Sequence, residues 1–201
     1  MGKNLQDLNQ CQKKIDDIYK ILNSTLDIKK VIFATRLGYM YDTGFGIETV
    51  GNKKWNYHYK KYFIKKDNYN QKETFFEIIG NTFKYFNGFK KYNLYYLMEN
   101  PELGFNPKNC MLRPFDIFPS TCRLKVEDFL NRQKEYRDFI YKISKKNQNI
   151  SILDPKDLYC DDKYCYAVKN GKMLYADDDH HSVDGSIIQA EYFEHKVFNA
   201  N

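Results

Sequence analysis

The sequence lacks the segments that would take a protein into or across a membrane. No apolar run among its 201 residues approaches the ~20 residues that a transmembrane helix needs. The first residues, Met1 to Asp7, contain no apolar core of the kind found in a signal peptide. As written, the chain is therefore expected to carry no export or membrane information.

Arginine is scarce, which weighs against a nucleic-acid-binding protein. The net charge of +6 comes mainly from lysines, as in the pairs Lys53-Lys54 and Lys60-Lys61. Trp55 and several tyrosines lie among these lysines, as they do in proteins that bind single strands. No recognised nucleic-acid module accompanies them. A solvated lysine-rich surface is the favoured interpretation, and we expect no nucleic-acid partner.

Five cysteines are present, and their spacing leaves three interpretations open. Cys160 and Cys165 flank a short acidic turn, and Cys110 and Cys122 could close a second loop, with Cys11 left over. Two disulfides would indicate an oxidising compartment. Free thiols are the second interpretation. Zinc is the third, but spacings of five and twelve fit no standard zinc pattern.

Strand-like and helix-like segments alternate along the chain. Hydrophobic residues make up 42% and charged residues 29%, a balance typical of a folded globular domain. Apolar spacings of three and four predict helices at residues 4–22, 72–88, 125–147 and 182–198. Short apolar runs predict strands at residues 30–34, 94–98 and 150–153, an irregular loop at 101–124 and a hairpin at 164–175 around Asn170-Gly171. The alternation predicts a single α/β domain over residues 1–201, with a parallel sheet covered on both faces.

The run from Leu174 to Ser182 is the strongest candidate for a functional site. Asp177 lies three residues before His180, a spacing at which a carboxylate can orient an imidazole that acts as a general base. We expect Asp178 and Asp179 to face solvent or to favour the N-terminus of the next helix. An acidic turn that only caps a helix is the first alternative. A metal site is the second, but no distant ligand is apparent, so we expect no metal and no cofactor.

A series of short motifs occurs in order between residues 105 and 190. It comprises Cys110, Arg113, Cys122, Arg132, Tyr136-Arg137, Asp154-Pro155, Cys160, Cys165, Leu174-Tyr175, Asp177, Asp179-His180, Ser182 and Gly185. This series resembles the C-terminal half of the SGNH domain that is fused to many bacterial membrane acyltransferases of the acyltransferase-3 family. The chain differs at His181, where the family usually has leucine.

The resemblance implies a three-layer SGNH-hydrolase-like fold and a role in O-acylation, with acetyl as the expected acyl group. His180 would be the catalytic base and Asp177 its partner. Arg36 follows a strand that in the family ends in Ala-Arg-Trp, so it would stabilise the oxyanion or position substrate. The partners would be a cell-surface polysaccharide or acyl donor and a separately encoded membrane acyltransferase segment. The family's SGNH domain is extracytoplasmic, in agreement with paired cysteines.

The nucleophile of such a domain is missing from the sequence. SGNH domains begin with a strand that ends in Gly-Asp-Ser, and no such block occurs here. None of the serines lies in the context of a nucleophile elbow. We therefore expect a partial domain without the first strand and nucleophile block, inactive alone, and the sequence leaves open whether the chain is an enzyme. The alternatives are a non-catalytic glycan-binding remnant, in which Trp55 would stack on sugars, and a degraded gene product.

Overall fold

The structure, a computed structural model, describes residues 13–14, 16–24, 27–34, 71–89, 91–110 and 122–199. The strands in these ranges are β1 Lys30–Ala34, β2 Asn93–Leu97, β3 Arg123–Lys125, β4 Ile150–Leu153, β5 Tyr164–Tyr166, β6 Val168–Lys169 and β7 Lys172–Met173. The helices are α1 at residues 16–23, α2 Gln71–Asn87, α3 Val126–Ser144, α4 Lys156–Tyr159 and α5 Val183–Phe193. A 3-10 helix spans Pro107–Cys110, and a π-helical segment at Glu194–Phe198 continues α5. None of these helices has the length and apolar character needed to cross a bilayer.

A three-stranded parallel sheet forms the centre of the fold, with strand order β1-β2-β4. Its register aligns Val31 with Leu94 and Leu94 with Ile150, so these three side chains share one face. The predicted α/β class with a parallel sheet is confirmed. The three predicted sheet strands are found within one residue of their expected bounds.

One face of the sheet packs against α1, α2 and α3 in an apolar core that we call the sheet cluster. The α2 residues Ile79, Phe83 and Phe86 recur at spacings of four and three, which places them on one side of the helix. Burying each such side chain contributes about 1.5–3 kcal/mol. The buried members of the sheet cluster are Leu22, Ile79, Phe83, Phe86, Tyr92, Leu94, Tyr96, Met98, Tyr136, Ile140 and Ile150.

The other face of the sheet is contacted by the C-terminal segment. Lys30, whose side chain alternates with that of Val31, donates a hydrogen bond from Nζ to the carbonyl of Val197. Its ammonium also lies 5.5 Å from the centre of the Phe198 ring. Elements on both sides of the sheet therefore contact it.

A second core, which we call the stapled cluster, contains both disulfides of the described residues. Cys110 is bonded to Cys122, with Cα atoms 5.5 Å apart, and Cys160 is bonded to Cys165, with Cα atoms 3.9 Å apart. The buried members of the stapled cluster are Leu103, Cys110, Val126, Phe129, Tyr159, Cys160, Cys165, Ala167, Leu174 and Tyr175. Val126 and Phe129 lie on the first turn of α3, whose later residues belong to the sheet cluster, so this helix contacts both cores.

The regions around the stapled cluster differ from the sequence-based expectation. Arg123 and Leu124 lie in the predicted irregular loop and Lys125 at the predicted start of the next helix, yet Arg123–Lys125 forms β3 and pairs antiparallel with Tyr164–Tyr166. The predicted hairpin is consequently shorter, with Val168–Lys169 paired to Lys172–Met173. Its turn residues Asn170 and Gly171 both have positive φ, as this type of tight turn requires. Strands of two or three residues are too short to show a hydrophobic period.

Candidate functional site

A cavity of about 340 Å³ opens at the carboxyl ends of the parallel strands. Ligands of open parallel α/β sheets bind at this edge. Strand ends, the segment after β2, the turn before α5 and one residue of α5 form its wall. The lining residues are Ala34, Leu97, Met98, Glu99, Asn100, Glu102, Asp179, His180, His181 and Gln189.

The turn that carries His180 is closed by its own backbone. The Ala176 N–H donates to the His180 carbonyl at 2.8 Å, and the Ser182 N–H donates to the Leu174 carbonyl at 3.1 Å. Asp177 Oδ1 accepts from the backbone N–H groups of Asp179 at 3.1 Å and of His180 at 2.7 Å. An aspartate side chain that accepts from backbone two and three residues later stabilises a tight turn. The same carboxylate therefore shapes the turn and meets the imidazole.

The structure brings Asp177 and His180 together as the sequence predicts. His180 Nδ1 lies 2.9 Å from Asp177 Oδ2 and 3.0 Å from Oδ1. Burial opposes ionisation of Asp177, but hydrogen bonds from the backbone and side chain of this turn outweigh it and lower its pKa far below the usual range. Asp177 is therefore a carboxylate at every physiological pH, with His180 Nδ1 facing it.

Asp179 is a second carboxylate at the same ring nitrogen. Its Oδ1 lies 2.6 Å from His180 Nδ1, and its side chain is only 12% exposed. The expectation that Asp179 faces solvent or serves the helix N-terminus is therefore wrong, because the tight turn folds it back toward the cavity. Two carboxylates thus flank Nδ1, while the imidazole itself is 72% exposed and lines the cavity.

His181 lies in a different environment from its neighbour. Its Nε2 is 3.0 Å from the hydroxyl of Tyr159, and the two rings stack with centroids 5.4 Å apart. Burial lowers the pKa of His181, the charge of His180 lowers it further, and a hydrogen bond with Gln189 only partly opposes this. His181 is therefore neutral at neutral pH. The contact of His181 with the buried Tyr159, and the exposure of the His180 ring, explain why two consecutive histidines differ so strongly.

The segment that follows β2 is hydrogen-bonded to the turn that carries His180. The Leu103 N–H donates to the Asp178 carbonyl at 2.8 Å, and the buried Tyr175 hydroxyl donates to the Pro101 carbonyl at 2.7 Å. Both bonds cross from the turn region to the strand end. They hold the catalytic candidate against the sheet.

A buried polar chain extends from this segment into α3. Arg137 forms an ion pair with Asp154 through Nη2 and donates from Nη1 to Gln133 Oε1 at 3.4 Å. Gln133 Nε2 in turn donates to the Asn100 carbonyl at 3.5 Å. Arg137 and Asp154 belong to the motif series of the sequence, and the structure brings them together. Their ion pair fixes α3 against the end of β4.

Ser182 and Gly185 fix the start of α5. Ser182 is the N-cap of α5, because its Oγ accepts from the Gly185 N–H at 3.0 Å, and the same hydroxyl donates to the Met173 carbonyl. A Cβ atom on Gly185 would lie 2.0 Å from the Leu174 carbonyl oxygen, so only glycine fits there. Both hydrogen bonds of the Ser182 hydroxyl are thus made within the fold. The described lining residues of the cavity include no serine, threonine or cysteine.

Three side chains of the turn have the chemistry of metal ligands. Donor atoms of Asp177, Asp179 and His180 lie within 4.8 Å of one another. A divalent ion bound there would compete with the imidazole for both carboxylates. The hydrogen bonds of the turn already account for the positions of all three groups.

Several residues of the sequence-based prediction lie outside the described residues. Arg36 and Trp55 are among them, as are Cys11 and Arg113. The four remaining cysteines form the pairs Cys110–Cys122 and Cys160–Cys165. The cavity and turn residues that sequence reasoning missed are Tyr159, Gln189 and Glu102, which carry no local sequence signal because their positions depend on contacts across the fold. Asp179 was named in the motif series, but its contact with His180 Nδ1 was not expected.

Comparison with known proteins gives one match. The family model described as "SGNH domain (fused to AT3 domains)" matches residues 2–195. Neither the search of curated proteins nor that of solved structures gave a match. The matched range includes every element of the described structure that contributes to the cavity.

Proposed function

Because the chain belongs to the family of SGNH domains that are fused to AT3 domains, we propose that it is an SGNH-type acyltransferase or esterase domain. Its substrates would be O-acyl groups, with acetyl as the expected group, on bacterial cell-surface polysaccharide. One observation carries this proposal: His180 Nδ1 lies 2.9 Å from Asp177 Oδ2 while its ring lines the cavity. Family membership indicates an acyl-group-related activity, and the substrate class extends that indication.

His180 would act as the general base through Nε2. The carboxylates of Asp177 and Asp179 face Nδ1, so the proton of the neutral ring resides on Nδ1 and Nε2 presents its lone pair. Nε2 would take the proton of an attacking hydroxyl as that oxygen bonds to the acyl carbon. The imidazolium formed in this step is stabilised by the two carboxylates. It would then return the proton to the leaving alkoxide.

The attacking hydroxyl has to come from a group other than the described lining residues. In SGNH domains it belongs to the serine of a Gly-Asp-Ser block, which this 201-residue sequence does not contain. Removing the serine of a hydrolase triad lowers kcat by about 10⁶-fold. We therefore propose that the chain alone is inactive. Arg36, two positions after the lining residue Ala34, remains the proposed oxyanion or substrate-positioning residue by resemblance.

The proposal also specifies partners and a compartment. The family is named for its fusion to membrane acyltransferase domains, so a separately encoded segment of that kind is the proposed protein partner. The disulfides Cys110–Cys122 and Cys160–Cys165 support an oxidising, extracytoplasmic location. No cofactor enters the proposed reaction.

Complementation tests the function directly. A Gly-Asp-Ser segment from a family member would be supplied in cis or as a second polypeptide, and hydrolysis of an aryl acetate would be measured. We expect activity only in the complemented protein. His180→Ala should abolish it, whereas His195→Ala, an exposed histidine of the π-helical segment, should not. Equal activity of these two variants would refute the assignment of the base.

The same assay can distinguish the contributions of Asp177 and Asp179 to catalysis. Asp177→Asn and Asp179→Asn each remove the negative charge of one carboxylate at Nδ1 by replacing one of its oxygens with an amide nitrogen. Substitution of the carboxylate that orients the imidazole should lower kcat by up to about 10⁴-fold. The alternative function, glycan binding through Trp55, predicts instead that polysaccharide binding survives His180→Ala and is lost in Trp55→Ala.

A further inference from the structure

We propose that the buried polar chain positions one carboxylate of the site, that of Asp179, against the ring of His180. The chain consists of Arg137, Gln133 and Asn100, which are hydrogen-bonded in that order. Its members are positioning residues, since they act on the base through Asp179 and not on a substrate. The role of His180 as a base rests on the proposed function, whereas the coupling of the chain to the turn does not.

The side-chain amide of Gln133 has only one orientation that satisfies its surroundings. Only 1% of Gln133 is exposed, so both ends of the amide need partners within the fold. The guanidinium of Arg137 only donates, and its Nη1 lies 3.4 Å from Gln133 Oε1. The carbonyl of Asn100 only accepts, and it lies 3.5 Å from Gln133 Nε2. The amide therefore joins Arg137 to the backbone of Asn100.

Arg137 fixes the far end of the chain to the framework of the fold. It lies on α3 and forms an ion pair with Asp154, the residue that follows β4. The Asp154 carboxylate also accepts from the Tyr141 hydroxyl at 2.8 Å, and its carbonyl accepts from the Tyr192 hydroxyl of α5 at 3.1 Å. Neither Arg137 nor Gln133 is among the described lining residues of the cavity. The chain is therefore anchored away from the reacting groups.

Asn100 connects the chain to the turn. Its Nδ2 lies 3.5 Å from the carbonyl oxygen of Asp179 and 3.4 Å from that of Pro101. Both oxygens only accept, so the amide nitrogen must face them. The Leu103 N–H donates to the preceding carbonyl of the turn, that of Asp178, at 2.8 Å. Two consecutive carbonyls of the turn are thus held by the segment that follows β2.

This attachment affects Asp179 more than Asp177, because the two carboxylates at His180 are placed by different contacts. Asp177 accepts from backbone N–H groups of its own turn, and its side chain is 51% exposed. Asp179 is 12% exposed, and its Oδ1 lies 2.6 Å from His180 Nδ1. Water and salt screen a partly buried pair less than an exposed one. The interaction of Asp179 with the ring should therefore change more when the carboxylate is displaced.

The first experiment tests the coupling without a ligand. In Gln133→Met a side chain of similar volume replaces the amide and breaks the link to Asn100. Nitrogen-15 NMR of the full chain should then show changed ring signals for His180, and Asn100→Ala should change the same signals. Lys142→Ala, exposed on α3, is the control and should leave them unchanged. Urea unfolding shows which variants are folded, and unchanged His180 signals in a folded chain variant would overturn the proposal.

The second experiment separates positioning from a general loss of structure. In the complemented protein, Gln133→Met should lower kcat for the aryl acetate by about 10- to 100-fold and leave KM unchanged, as a small misplacement of a catalytic group does. In an Asp179→Asn background the same substitution should lower kcat no further, because the carboxylate through which the chain acts is gone. Losses in kcat that multiply, or a raised KM with unchanged kcat, would contradict the positioning role.

The two proposals fail in different ways. If the function is wrong, the complemented protein does not hydrolyse aryl acetate, but the His180 signals respond to Gln133→Met as described. If the coupling is wrong, the complemented protein is active, and Gln133→Met leaves both its kcat and the His180 signals unchanged. An active protein whose kcat falls in Gln133→Met, but not in Lys142→Ala, supports both.

Discussion

The sheet cluster and the stapled cluster stabilise the molecule in different ways. The sheet cluster consists of regular strands and long helices, with aromatic and aliphatic side chains buried between them. The stapled cluster surrounds strands of two or three residues and contains both described disulfides. Apolar burial and hydrogen bonds, such as that between the Tyr96 and Tyr136 hydroxyls, stabilise the first, whereas disulfides add covalent links in the second.

The candidate site lies where these two regions meet. Its cavity takes Ala34 and Leu97 from the sheet, and His180 and His181 from a turn attached to the stapled cluster. The sheet supplies a rigid edge, and the turn supplies the reactive groups. The geometry of the reactive groups therefore depends on short-range bonds within the turn, so it should respond to changes that leave the sheet intact.

The largest effect is expected from breaking the sheet cluster. Ile140 is fully buried on α3, and Ile140→Ala should lower the free energy of unfolding by about 2–5 kcal/mol through lost burial and the cavity left behind. Urea unfolding measures this. Lys142→Ala, exposed on the same helix, should change it by no more than about 0.5 kcal/mol. A loss near 1 kcal/mol for Ile140→Ala would show that the sheet cluster is not the main source of stability.

A smaller and more local effect is expected from opening the disulfides. The bonds join cysteines 12 and 5 residues apart, and each should contribute about 2–3 kcal/mol. Reduction should speed amide exchange at Ala176 and Ser182, which close the turn, and leave the β2 amides protected. In the double variant Cys160→Ser/Cys165→Ser, reduction should speed amide exchange in the turn less, because only one of the two disulfides is left to open. Equal acceleration in β2 and in the turn would mean that the two regions unfold together.

Removing the cap of α5 should cost less. Ser182→Ala deletes the acceptor of the Gly185 N–H and should lower stability by about 1 kcal/mol. Thermal unfolding of this variant would be compared with Ser186→Ala, an exposed serine of the same helix. Ser182→Thr should retain most of the stability, since its hydroxyl can also accept from the Gly185 N–H and donate to the Met173 carbonyl. No difference between the two alanine variants would contradict the cap.

The smallest effect is expected from acid titration of the turns. Hydrogen bonds from Tyr166, Tyr164 and Lys163 lower the pKa of Asp161 to about 2, and the turn of Asp177 lowers the pKa of that carboxylate as well. A carboxyl whose pKa is lower in the folded state stabilises above its unfolded pKa of about 3.9 and loses this as pH falls toward the folded value. Melting temperatures should therefore drop below pH 4. The drop in melting temperature below pH 4 should be smaller in Asp161→Asn than in the wild type. In the control Asp162→Asn, at the exposed neighbouring position, it should equal that of the wild type.

Long periodic segments were predictable from the sequence, and contacts across the fold were not. The spacing of Ile140 and its neighbours predicts α3, and the apolar run at residues 30–34 predicts β1. Asp177 and His180 were predictable as a pair because they are three residues apart. The contact of Asp179 with His180 Nδ1 was not predictable, since it depends on how tightly the turn closes. Likewise, Tyr159 approaches His181 from 22 residues earlier in the chain.

The shared use of α3 by both cores restricts how the length of this helix can change. Phe129 packs in one core and Tyr136 in the other, so about two turns of helix separate the two attachments. Each added residue advances an α-helix by about 100° and 1.5 Å. A one-residue insertion between these positions would turn one set of anchors away from its pocket. Homologous chains should therefore tolerate substitutions along this stretch far better than insertions or deletions.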